Sequence, residues 1–169
     1  MSDLNPEKYH VLFVCTGNTC RSPIAEGILI NILEEKGIED IEVSSAGVSA
    51  VAGFPAATNG IIVCKDWGID ISRHRSKLLD NAWMEKADLI LAMSPDHYNY
   101  IKSTVPSDKK TFVLKDFPQG EKGSRSVGVD DPIGRSLETY GKTFLELDEI
   151  IRKILPDILK LSKAKKEKN

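Results

Sequence analysis

Four times along this 169-residue chain a short apolar run gives way to a segment with helical spacing, and few architectures accept that alternation. Tyr9 to Val14 ends wholly apolar in Val11-Leu12-Phe13-Val14, as a strand buried on both faces does. A Gly/Asn/Thr loop covers Cys15 to Arg21. Ser22-Pro23 then opens a helix, with proline expected at its first position. Ile24, Ile28, Leu29, Ile32 and Leu33 share one face of that helix, and Gly37 stops it. Ile41 to Ser45 reads as a second strand, followed by a loop of polar and small residues to about Pro55. Ala56 to Trp67 reads as a helix closed by Gly68. Ala87 to Met93 is a third strand, Pro95 to about Thr104 a helix, and Thr111 to Leu114 a fourth strand. Lys115 to Arg135 is irregular. Ser136 to about Lys160 is a long helix with Leu137, Phe144, Leu147, Ile151 and Leu155 on one face, and Pro156 is expected to bend or split it.

The expectation is an α/β fold: a single three-layer domain with a central four-stranded parallel sheet flanked by helices. Its crossovers are right-handed, and its site lies beyond the carboxyl ends of the strands. Residues 1–8 form an N-terminal extension, 9–160 the domain, and 161–169 a basic, frayed, solvated tail.

A net charge of −2 supplies no global basic field for nucleic acid. No apolar run approaches the length of a membrane span and Met1 to Pro6 is polar, so an unprocessed cytoplasmic protein is expected, with neither nucleic acid nor membrane as partner. The three cysteines, Cys15, Cys20 and Cys64, form no disulfide framework, and a reducing compartment is the default.

Cys15 ends the first strand, and five residues separate it from Arg21. A packing cysteine is common in general, but this loop is too polar to be core. A structural zinc site needs about four ligands, and only Cys20 is near. A nucleophile needs a stabilised thiolate, which a helix start favours. If the loop curls, successive N–H groups point inward and make a nest for an anion or a thiolate. Gly17 would free the backbone to curl, and Asn18 tolerates a left-handed conformation. The Arg21 fork suits two oxygens of phosphate or arsenate, while a solvated arginine here would oppose the helix dipole. Ser22 can donate a hydrogen bond to Cys15. This makes Cys15 to Arg21 a candidate phosphate-binding loop after the first strand. Phosphoryl transfer also needs a proton donor for the leaving group. Val129-Asp130-Asp131-Pro132 is the best source: Asp131, fixed against Pro132, is the first choice, with Asp130 as a neighbour that would raise its proton affinity.

The stretch Cys15-Thr16-Gly17-Asn18-Thr19-Cys20-Arg21-Ser22-Pro23 resembles the low-molecular-weight protein tyrosine phosphatases. Ser44-Ser45-Ala46-Gly47, Ile71-Ser72-Arg73-His74-Arg75-Ser76, Ala87 to Met93 and Asp131-Pro132 fit the same family in the same order. The resemblance implies hydrolysis of phosphotyrosine or phosphoarginine in protein or peptide substrates through a phosphocysteine, without metal or cofactor. Cys15 matches the nucleophile, Arg21 the phosphate binder and Asp131 the general acid. Asn18, Ser22 and Ser45 match residues that brace the loop, with Thr16 and Gly17 part of it. Cys20 matches a cysteine able to form a reversible disulfide with the nucleophile, which implies redox sensitivity. Glu26 and His74 match a structural acid–imidazole pair. A monomer or weak homodimer is expected.

Two departures bear on substrate. The family's tyrosine phosphatases wall the slot with aromatics after the Ser-Ala segment and directly after Asp-Pro. Here those places carry Ser49-Ala50-Val51-Ala52 and Ile133, so the mouth formed by Val51, Ile133 and Asp130 has little to stack on a ring. Thr19, where tyrosine enzymes commonly have an aliphatic residue, resembles the protein-arginine phosphatase branch. A thiol-dependent arsenate reductase shares the loop, but its relay needs two further cysteines, and only Cys64 stands outside the loop.

Overall fold

The structure, a computed structural model, describes residues 4–106, 108–120 and 127–169. Its elements are β1 (Tyr9–Cys15), α1 (Arg21–Glu35), β2 (Ile41–Gly47), α2 (Thr58–Asp66), α3 (Asn81–Lys86), β3 (Leu89–Ala92), α4 (Pro95–Thr104), β4 (Thr111–Val113) and α5 (Leu137–Lys168). The four strands form one parallel sheet in the order β2-β1-β3-β4. Every residue of β1 is buried, because both faces of the sheet are covered. Val11, Phe13 and Cys15 join the core under α1, α2 and α5, while Leu12 and Val14 join the core under α3 and α4. That alternation is the period-two consequence of the pleat. The expected three-layer α/β architecture is therefore the observed one.

The strand order places the site. The chain leaves β1 toward β2 on one side and later returns to lay β3 on the other. The connections diverge at the carboxyl ends of β1 and β3, and the crevice between them opens there. The Cys15 loop leaves one of these strands, and the Met93–His97 segment leaves the other.

Several local expectations are corrected. α1 starts at Arg21, two residues before Pro23, so the proline occupies the third helical position. It loses nothing there, because first-turn amides have no partner within the helix. α3 has no counterpart in the sequence reading; six residues are too few for a periodic pattern. The Asp80 side chain caps it by accepting from the Trp83 N–H at 2.8 Å, and Trp83 and Met84 are buried. Pro156 neither splits nor ends α5. It stands on the exposed side, where water can satisfy the freed carbonyl, and burial of Ile151, Ile154, Leu155 and Ile158 holds the helix together across it.

The frayed tail at 161–169 is also overturned. Helix α5 continues to Lys168, and Ser162 is buried. The Lys165 ammonium donates to the Lys8 carbonyl and pairs with Asp88, both at 2.8 Å, and Lys166 pairs with Asp40 at 2.8 Å. The basic end is thus tied to the residues that lead into β1, β2 and β3. Residues 121–126 of the irregular stretch and 1–3 of the N-terminal extension lie outside the described residues.

Candidate active site

The turn from β1 into α1 closes around Asn18, the one described non-glycine residue with positive φ, at 55°. The left-handed position expected for Asn18 is there. Gly17, expected to be the flexible point, has no positive φ, and a Cβ on it would meet nothing nearer than the Thr19 hydroxyl at 3.7 Å. The glycine the turn requires is Gly47, at the end of β2. A Cβ there would lie 2.5 Å from the Thr16 carbonyl oxygen and 2.9 Å from the Asn18 nitrogen. The loop therefore lies directly on the β2 backbone. Val48 and Ser49 donate to the Cys15 and Thr16 carbonyls at 2.9 Å, and Ala57 donates to the Thr19 carbonyl at 2.8 Å. With its carbonyls turned outward to these donors, the loop leaves the N–H groups of Gly17 to Cys20 without a protein acceptor among the described residues.

The Asn18 side chain fixes the polarity of the buried bonds beneath. Its Oδ1 accepts from the Lys77 N–H at 2.9 Å, so its Nδ2 must donate. It donates to Ser22 Oγ at 2.8 Å and to Ser45 Oγ at 2.9 Å. The Ser45 hydroxyl in turn donates a hydrogen bond to Glu26 Oε2 at 2.5 Å. The Ser22 hydroxyl proton is left for Cys15 Sγ, 2.8 Å away.

His74 Nε2 donates to the Asn18 carbonyl at 2.7 Å, while its Nδ1 stands 3.8 Å from Glu26 Oε2. Burial pushes the Glu26 carboxyl up, outweighing the Ser45 bond, and pushes the His74 imidazole down. Both shifts run toward the neutral forms. The two side chains support Asn18 and Ser45 as a polar contact more than as an ion pair.

Arg21 lies on the other side of Cys15, buried. Its Nη1 donates to the Val129 carbonyl at 2.9 Å and its Nη2 to Thr16 Oγ1 at 3.4 Å, with Asp131 Oδ2 also 3.4 Å from Nη2. Its Nε is buried and has no hydrogen-bond partner among the described residues. The arm carrying Asp131 is held against β3: Val129 donates to the Met93 carbonyl at 2.8 Å, and Gly128 lies so close to Ser94 that a Cβ would stand 2.8 Å from its side chain. Asp131 Oδ1 accepts from the Ile133 N–H at 3.2 Å. A residue 110 positions along the chain from Arg21 is thereby placed beside it. A cleft of about 480 Å³ opens between this arm, the loop and the start of α4, lined among others by Thr16, Arg21, Asp130 and Asp131.

Thr19 is half-buried, its hydroxyl 3.8 Å from Cys20 Sγ. Cys20 Sγ lies 3.2 Å from the Tyr140 hydroxyl, and burial pushes both thiol and phenol up. Cys64 is fully buried in α2, and burial pushes its thiol up to about 12, so it is a packing residue. Val51 and Ile133 are exposed, at 67% and 60%, as is Asp130. No group of His, Cys, Asp or Glu that could hold a metal occurs among the described residues. No described helix is long and apolar enough to cross a membrane.

The sequence model of the low molecular weight phosphotyrosine protein phosphatases matches residues 10–168. The chain belongs to that family. A protein-arginine-phosphatase of Geobacillus stearothermophilus is 40% identical over 147 residues, which are 86% of this chain and 93% of that protein. A low molecular weight protein tyrosine phosphatase from T. tengcongensis has a crystal structure that matches with a TM-score of 0.80 at 45% identity, covering 89% of this chain and 99% of its own. A cysteine-to-serine mutant of the arginine phosphatase YwlE, with a phosphorylated active-site serine, matches with a TM-score of 0.81 at 36% identity, covering 89% and 96%. This phosphatase is accordingly a cysteine-dependent phosphomonoesterase.

Three further residues of its site were given no role by the sequence reading. Gly47 stood there within the Ser44-Ser45-Ala46-Gly47 stretch, but its close approach to Thr16 shows only in the fold. Tyr140 is one aromatic on a helix face. His97 sits in the first turn of α4, where its Nε2 is 2.7 Å from Thr16 Oγ1. The rule that sites lie at the carboxyl ends of parallel strands could have drawn notice to the segment after Met93.

Proposed function

We propose that this phosphatase removes phosphate from phosphoarginine in proteins or peptides, through a phosphocysteine at Cys15 and without a metal or cofactor. The observation that carries the reading is the ring of unused donors around Cys15. A buried guanidinium Nε and the inward amides of residues 17–20 have no protein acceptor among the described residues, and only an anion satisfies them together.

Cys15 sulfur attacks the phosphorus in line, and the bond from phosphorus to the leaving nitrogen breaks. Asp131 gives its proton to that nitrogen. Arg21 and the amides take up the charge on the three equatorial oxygens. Water then attacks the phosphocysteine and Asp131 takes its proton. The sulfur leaves as a thiolate that the Ser22 hydroxyl stabilises, and phosphate is released.

Arginine is preferred over tyrosine for three reasons. Thr19, half-buried in the Cys15 loop, stands where the protein-arginine phosphatase branch carries a threonine. Val51 and Ile133 provide no ring face. Asp130 and Asp131 line the mouth with carboxylates suited to a guanidinium. The protein is read as a cytoplasmic monomer or weak homodimer, with Cys20 able to form a disulfide with Cys15 under oxidation.

The test compares kcat/KM on phosphoarginine and phosphotyrosine peptides of one sequence. Wild type is expected to favour phosphoarginine at least tenfold, and Thr19→Ile to narrow or reverse that ratio. A wild-type preference for phosphotyrosine would refute the substrate assignment. Unchanged turnover in Cys15→Ser would refute the mechanism.

A further inference from the structure

Resting on that reading of the anion site, we propose that His97 is a positioning residue for phosphate binding, which orients Arg21 through the hydroxyl of Thr16. His97 makes no hydrogen bond to Cys15 or Asp131 among the described residues, although it lines the same cleft as Asp131. It is buried at the first turn of α4, with Nε2 2.7 Å from Thr16 Oγ1 and Nδ1 3.0 Å from Ser94 Oγ. Thr16 Oγ1 accepts from Arg21 Nη2 at 3.4 Å.

A neutral imidazole joins these contacts in either tautomer, and with its proton on Nδ1 they run as one chain. Arg21 donates to the Thr16 oxygen, Thr16 donates to His97 Nε2, and His97 Nδ1–H donates to Ser94. A cationic imidazole would instead aim a second donor at the Thr16 oxygen beside Arg21 and turn the threonine proton toward solvent. The groups facing His97 are Arg21 from α1, Asp96 from its own helix and Asp131 from the arm. Burial and the Arg21 charge outweigh the two carboxylates and hold the imidazole neutral down to about pH 4.

The guanidinium has a competing arrangement. Asp131 Oδ2 stands at the same 3.4 Å from Nη2 as the threonine oxygen does. Without Thr16 held in place, the carboxylate draws the fork toward the acid arm and away from the amide nest. The His97–Thr16 bond opposes that rotation and keeps Nε and the free Nη protons aimed at the phosphate. Because it sets how the anion is gripped, and not the nucleophile or the acid, its loss should appear in binding.

The experiment measures the competitive inhibition constant of inorganic phosphate, with kcat and KM for p-nitrophenyl phosphate, in wild type, His97→Ala, His97→Gln, Thr16→Val and the His97→Ala/Thr16→Val double variant. Melting curves confirm folding of each. In His97→Ala, phosphate binding is expected to weaken about fivefold, the equivalent of one lost hydrogen bond. KM should rise in parallel, with kcat within a factor of about two. Glutamine, which can place an amide near the position of Nε2, should restore most of the affinity. The double variant should be no weaker than the worse single variant, because both act through one bond. Unchanged phosphate affinity in His97→Ala, a glutamine variant as weak as alanine, or losses that multiply in the double variant would each overturn the proposal. Failure of phosphate to compete in wild type would instead remove the anion-site reading, and this proposal with it.

Discussion

Replacing Asn18 by alanine should be among the most damaging single changes in this protein, although Asn18 makes no covalent bond in the reaction. It removes three hydrogen bonds at a fully buried position: Nδ2 to Ser22 and Ser45, and Oδ1 from the Lys77 N–H. At about 1 kcal/mol net each, these account for roughly 3 kcal/mol. Alanine at φ 55° adds roughly 1 kcal/mol of backbone strain. The total, about 4 kcal/mol, corresponds to a fall in Tm of about 8–16 °C in a chain of this size. Asn18→Gly loses the same bonds without the strain, so it should be about 1 kcal/mol more stable than the alanine variant. Urea unfolding of wild type and both variants measures these terms, and kcat/KM on p-nitrophenyl phosphate measures the consequence for the loop. With Ser22 no longer oriented toward Cys15, a loss on the order of 100-fold is expected for both variants. Alanine within 1 kcal/mol of wild type would refute the network's weight. Equal stability of alanine and glycine would refute the strain argument.

Gly47→Ala drives a Cβ to 2.5 Å from the Thr16 carbonyl, backbone against backbone, and should cost about 1–3 kcal/mol in urea unfolding, with a larger proportional loss of activity, because the displaced atoms belong to the loop. Stability should also fall as pH drops from 6.5 toward 4. Burial holds His97 at about 4 and lowers His10 and His74, so the unfolded chain binds more protons across that window. Glu26, whose carboxyl burial raises, opposes part of the slope above pH 4.5. His97→Gln should remove up to about 3 kcal/mol of the dependence, measured as urea midpoints against pH. Ending the chain at Lys160 removes the Lys165 and Lys166 contacts and should lower stability by about 1–2 kcal/mol, more at low salt, while kcat/KM on p-nitrophenyl phosphate stays unchanged.

The sequence carried the order of the main elements and the chemistry of the loop, because both are local. The unbroken apolar run Val11 to Val14 marks a strand buried on both faces and the spacing from Ile24 to Leu33 marks a helix, and both are visible before it is known what packs against them. The left-handed place of Asn18 is likewise a property of one residue and its neighbours. Elements whose shape depends on distant partners were not legible. α3 is too short to show a period and exists because Trp83 and Met84 find a core. The last turns of α5 look like a solvated charge run until Asp40, Asp88 and the Lys8 carbonyl are seen to receive Lys165 and Lys166.

The same division runs through the site. The short spacing from Cys15 to Arg21 names a thiol and a guanidinium on one turn, since seven residues cannot separate far. Which other groups converge on them was decided by strand order alone. Parallel pairing of β1 with β2 puts Gly47 under Thr16, and pairing of β1 with β3 brings Met93, and with it His97 and the Val129–Asp131 arm, to the same edge. No spacing in the sequence encodes those distances, because they arise from registers between segments tens of residues apart.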